Sequence, residues 1–136
     1  MEKIASLDIG LKRIGVAFCF DNSTVLPQNA IIRRGRKQAA KDISQLLKEW
    51  EINKLIVGLP IGGNSQEEME RRIRHFISLL DIPFIKDIVY IDESFSSNEA
   101  KEQMQGIIKQ KRDGRVDSIA AKIILERYIE SQKFKS

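Results

Sequence analysis

Lys3-Ile4-Ala5-Ser6-Leu7-Asp8-Ile9-Gly10, followed by Leu11-Lys12-Arg13 and then Ile14-Gly15-Val16-Ala17-Phe18-Cys19-Phe20, reads as two strands joined by a short connection, and so as a hairpin. The first strand is apolar until Asp8. Strand interiors disfavour Asp, so its carboxylate belongs at the strand's end. Asp21-Asn22-Ser23 is turn chemistry. Leu26 to Ile32 is a third strand, with Pro27 near its start, where proline is tolerated.

The pattern then changes period. Ala39, Ile43, Leu46, Leu47 and Trp50 recur at helical spacing, so a helix is expected over 36–50. Lys54-Leu55-Ile56-Val57 is a short continuous apolar strand of the kind buried on both faces. Gly58-Leu59-Pro60-Ile61-Gly62-Gly63-Asn64 is a loop. Ser65, with Glu68 three residues on, forms a capping-box pattern for a second helix that buries Met69, Ile73, Phe76, Ile77 and Leu80. A fifth strand is expected over 88–93, a third helix over 97–109 and a final helix over 116–131. Early antiparallel strands followed by strand–helix–strand units give an α/β fold: a mixed sheet with helices on both faces.

The chain has 136 residues, enough for a single domain over 1–136. Its net charge is +4, a mild excess that suits a polyanionic partner without requiring one. Cys19 is the only cysteine, which excludes an intramolecular disulfide; no secretory signal is read, and a reducing cytoplasm is expected. No apolar run approaches the length of a membrane span.

Three acids end or begin elements that the expected fold brings together. Asp8 closes the first strand, Glu93 closes the fifth, and Asp117 opens the last helix. Convergent carboxylates suit a hard cation such as Mg²⁺, and such ions can clamp the oxygens of a phosphodiester. Each acid also has a plainer role. Asp8 could bond its own turn, and Asp117 could complement a helix dipole. Glu93 could be a solvated strand end. Asp117 shares a helical face with Ala121, Ile124 and Tyr128, where an acid is costly unless paired or metal-bound. Alternation sends Asp92 and Glu93 to opposite faces, which leaves Asp92 as the substitute if Glu93 faces away. Lys12 and Arg13 lie close to Asp8. Arg33, Arg34, Arg36 and Lys37 form one basic run; Lys109, Lys111, Arg112 and Arg115 form another. Such runs are solvated surface unless they meet phosphates. The lone His75, on a helix among arginines, reads as surface.

Leu7-Asp8-Ile9-Gly10, Lys12-Arg13-Ile14-Gly15-Val16-Ala17, Val57-Gly58-Leu59-Pro60, Asp92-Glu93 and Val116-Asp117-Ser118-Ile119-Ala120-Ala121, in that order, resemble the YqgF family. That family is described as candidate pre-16S rRNA nucleases and Holliday-junction-resolvase-like proteins. The resemblance implies an RNase H-like fold, a five-stranded mixed sheet with the first three strands antiparallel. It implies metal-binding, catalytic acids at Asp8, Glu93 and Asp117, with Mg²⁺ or Mn²⁺. Nucleic-acid contacts are expected from Lys12, Arg13 and Arg115, basic residues that would neutralise a substrate backbone. The resemblance further implies a hydrolase that matures the 5′ end of precursor small-subunit rRNA, with a ribosomal particle as a further partner. The alternatives are a resolvase acting on branched DNA and a non-catalytic ribosome-assembly factor. An ATP-using relative of the sugar-kinase and actin fold would need two such domains, more than this chain provides. One departure stands out. Ser94 occupies a position where the family usually has arginine, so a bidentate phosphate contact is missing there. Lys12 or Arg13 could supply the cation instead.

Overall fold

Strand β1 spans Ile4–Ile9, β2 Arg13–Cys19, β3 Val25–Ile32, β4 Lys54–Leu59 and β5 Asp87–Asp92; helix α1 spans Arg36–Glu49, α2 Gln66–Ser78 and α3 Ile119–Phe134. The structure, a computed structural model, describes residues 2–59, 66–92 and 118–134. The helix expected over 97–109 and the capping serine expected at Ser65 lie outside the described residues. So does the expected start of the last helix, which runs on to Phe134, past its expected end at Ser131.

The five strands form one sheet in the order β3-β2-β1-β4-β5. β1 pairs antiparallel with β2, and β2 with β3. β1 pairs parallel with β4, and β4 with β5. Short turns permit the antiparallel pairs, whereas each parallel pair needs a helical crossover. α1 and α2 supply those crossovers. β1 is therefore the central strand, and the mixed sheet expected from the sequence is the one observed.

The period-two alternation of the strands sorts the core onto two faces. On one face Ala5, Leu7, Ile9, Leu55 and Val57 pack with Ala39, Ile43 and Leu47 of α1 and Ile73, Phe76 and Ile77 of α2. On the other, Ile4, Ala17, Cys19 and Ile56 pack with Ala121, Ile124, Leu125 and Tyr128 of α3. Helices thus cover both faces. Each fully buried large aliphatic contributes about 1.5–3 kcal/mol.

The β2–β3 turn is held by Asp21, whose Oδ1 accepts from the N–H groups of Thr24 at 2.8 Å and Ser23 at 3.0 Å. These bonds, Thr24 first, hold its carboxyl down to about 2. Asn22 takes the left-handed φ of 62° that the turn requires, a conformation Asn tolerates. Among the described residues, no helix is long and apolar enough to cross a membrane.

Candidate functional site

Asp8 is the penultimate residue of β1 and is half-buried. Alternation puts it on the face of Ile4 and Ser6, the face that α3 covers. Its partner on β2 is Gly15. On the other flank Leu7 pairs with Val57, so the next residue, Gly58, stands level with Asp8. Glycine inside a strand weakens it and marks a place where another group approaches closely. Here two glycines border one carboxylate at the end of the central strand.

Two buried serines tie α3 to this region. Ser6 Oγ donates to the Ala121 carbonyl at 2.6 Å. Ser118 Oγ accepts from the Val16 N–H at 3.0 Å, where the β2–β3 register shifts between Ile14 and Val16. Irregularities of this kind free backbone groups and recur beside active sites. Val16 pairs with Leu7, so Ser118 is anchored one residue from the Asp8–Gly15 pair. Both serines are fully buried. Buried hydroxyls are kept where they satisfy backbone groups, and these two tie Ser118 and Ala121 to β2 and β1.

Lys12 and Arg13 are exposed at the β1–β2 turn. Arg13 lies on the same strand face as Gly15, hence on the Asp8 side. The turn itself is tight. Gly10 N–H donates to the Arg13 carbonyl at 3.0 Å, and a Cβ on Gly10 would stand 2.5 Å from that oxygen. Glu93, Ser94, Arg115 and Asp117 lie outside the described residues, as does most of the Gly58–Asn64 loop. Among the described residues, no three His, Cys, Asp or Glu side chains cluster as a metal site. Of the expected carboxylates, the description therefore covers Asp8 and its surroundings. Gly15, Gly58, Ser6 and Ser118 are the parts that sequence reasoning did not assign to the site. Gly15 carried a readable signal, since it interrupts an apolar strand; Gly58 was read as the start of a loop, whereas β4 runs on through it to Leu59.

β5 enters the same edge of the sheet. Its Val89 and Ile91 pack into the α3 cluster, while Tyr90 packs into the opposite one. Gly58 pairs with Ile91, so the level of Asp8 on β1 continues through Gly58 to Ile91 on β5.

The fold has close counterparts. The RuvC of T. thermophilus, solved in complex with a Holliday junction substrate, superposes with a TM-score of 0.60 over 100% of this chain and 98% of that one, at 11% identity. The fowlpox virus resolvase, solved with Holliday junction DNA, gives a TM-score of 0.58 over 96% and 98%, at 16% identity. These likenesses establish an RNase H-like fold. Sequence relatives are much nearer. A candidate pre-16S rRNA nuclease of Sulfurovum sp. (strain NBC37-1) is 61% identical over 93% of this chain and 98% of its own. One of Campylobacter lari (strain RM2100) is 49% identical over 93% and 96%. The sequence pattern of the RuvX family, described as Holliday junction resolvase, matches residues 2–131. With that match over nearly its whole length, the chain belongs to the RuvX family.

Proposed function

We propose that this protein is a metal-dependent nuclease that hydrolyses phosphodiester bonds in structured RNA, with precursor small-subunit rRNA as its substrate. Asp8, Glu93 and Asp117 are its proposed catalytic and metal-binding acids. The observation that carries the reading is Asp8 itself: a half-buried carboxylate at the end of the central strand, flanked by Gly15 and Gly58. Carboxylate oxygens are the donors Mg²⁺ and Mn²⁺ prefer, and glycines on both flanks permit another group to approach closely.

The surroundings support the other two acids. Ser118 is anchored on the hairpin beside Asp8, and Asp117 precedes it in the chain. Val89 and Ile91 share the α3 face; extending that alternation favours residue 93 over residue 92, and so Glu93 over Asp92. A bound divalent ion would polarise a phosphoryl oxygen and ease deprotonation of the attacking water. Asp8 orients that chemistry from a rigid strand. Lys12, Arg13 and Arg115 neutralise the substrate backbone. The names of the sequence relatives support precursor 16S rRNA as substrate.

The test is cleavage of labelled pre-16S rRNA with Mg²⁺ or Mn²⁺, beside an Asp8→Asn control. We expect metal-dependent cutting that falls in the variant by more than the roughly 10–100-fold typical of lost outer-shell partners. Retained cutting by Asp8→Asn would refute the assignment. A second reading, cleavage of branched DNA, is favoured by the family's description. A four-way DNA junction run in parallel decides it: cutting of the junction alone moves the substrate to DNA. That reading also needs a dimer to cut two symmetric strands. Metal-independent binding without cutting of either substrate would instead support an assembly factor.

A further inference from the structure

On the opposite face of the sheet from Asp8, a cleft of about 550 Å³ opens between the β1–β2 turn, the start of α1 and residues Glu68 to His75 of α2. Its walls carry Arg33, Arg36, Arg71 and Arg72, with Gly10 and Leu11 at the edge nearest Asp8. Among the described residues, only Arg72 is neutralised there, by Glu68 at 2.6 Å. Among the described residues, no carboxylate pairs with Arg33, Arg36 or Arg71. Arg33 is fixed in place: it donates to the Gly10 carbonyl at 2.7 Å and lies over the Phe76 ring at 5.1 Å. Burial pushes its guanidinium below the usual range, and the charge of Arg36 adds to that.

This arrangement works against the stability of the fold. Arg36 and Lys37 occupy the first turn of α1, where the helix dipole favours acids, and that turn has none. Arg33 is partly desolvated, and the like charge of Arg36 bears on it. Local rules broken without a structural return mark functional positions. What would relieve all these costs together is an anion with several oxygens, and guanidinium forks match phosphate bidentately. The cleft is far larger than one ion, and its edge is the same turn that presents Lys12 and Arg13 beside Asp8.

We propose that this cleft is a second phosphate site, gripping the sugar-phosphate backbone of a nucleic-acid strand where it passes over the β1–β2 turn away from Asp8. The inference rests on the nucleic-acid reading for its ligand, and not on the chemistry of Asp8. It is tested by equilibrium binding of a labelled RNA hairpin in the presence of a chelator, so that no metal and no cleavage enter. Arg36→Gln/Arg71→Gln is compared with Lys41→Gln/Lys48→Gln, an equal charge change at exposed positions of α1 away from the cleft.

The cleft pair should weaken binding about tenfold or more, and should flatten the slope of log affinity against log salt by about one per lost contact. The lysine pair should leave both nearly as in the wild type. Equal losses in the two pairs would reduce the effect to net charge and overturn the site, as would unchanged binding by the cleft pair. Absent cleavage with this binding pattern intact would sink the nuclease reading alone.

Discussion

At the scale of single residues, the site depends on side chains that are absent as much as on those present. Asp8 was legible because an acid ended an apolar run. The meaning of Gly15 and Gly58 was not, because only the strand register shows that both flank that acid. Gly10 makes the case measurable. A methyl group there would meet backbone, the Arg13 carbonyl at 2.5 Å, and cannot be accommodated by a side-chain rotation. The turn would have to open and break the 3.0 Å bond from Gly10 N–H to the same oxygen. Gly10→Ala should therefore destabilise the protein by about 1–3 kcal/mol, the usual cost of overpacking. Urea denaturation should show a lower midpoint with an unchanged slope. Because the turn begins two residues after Asp8, cleavage should fall further than the folded fraction does. A midpoint equal to that of the wild type would show that the turn is looser than this geometry allows.

At the scale of elements, the strands were readable from periodicity, and so were α1 and α2. Their apolar residues recur at spacings of two or near 3.6, and each pattern meets a complementary face. Leu80 was expected on the face of α2, but the helix ends at Ser78 and Leu80 packs only partly against the core from beyond it. The docking of α3 was less legible. Its apolar residues show which side is buried, but not that two serines set its position along the sheet. The two are unequal. Ser118 satisfies the N–H of Val16. Its loss leaves a buried donor unpaired, at about 1–3 kcal/mol. Ser6 donates to the Ala121 carbonyl, which as a helical acceptor keeps an intrahelical partner; its loss costs nearer 0.5–1.5 kcal/mol, roughly the net worth of one hydrogen bond. Ser118→Ala should thus melt below Ser6→Ala in thermal unfolding. It should also lose more activity, since Asp117 is the neighbour of the anchored residue. The reverse order would show that α3 is positioned by its apolar contacts and not by the Ser118 bond.

At the scale of the whole molecule, the helix that Ser118 anchors beside Asp8 also completes the core. Parallel pairing of β1, β4 and β5 was inferable from the alternation of elements, and with it the convergence of strand ends on one edge. What the sequence could not reveal is how far folding and site assembly share their contacts. Ile124, Leu125, Tyr128 and Ile129 are all buried against β1, β2, β3 and β4 residues, including Ile4, Ala17, Val25 and Ile56. At about 1.5–3 kcal/mol for each large side chain, they contribute about 6–12 kcal/mol. That is comparable with the entire 5–15 kcal/mol stability typical of a domain. A chain truncated before Ser118 should therefore not fold cooperatively, and circular dichroism should show no sigmoidal thermal transition. Asp8→Asn is the informative contrast, because it removes charge from a half-buried carboxylate while leaving every core contact in place. It should keep the cooperative transition and lose only cleavage. If the truncated chain still unfolded cooperatively, the face under α3 would be stable without its cover. The site could then be assembled on a preformed sheet by a later docking of the helix. With contacts on this scale shared between them, helix and sheet instead form together, and Ser118 reaches the Val16 N–H beside Asp8 only in the folded protein.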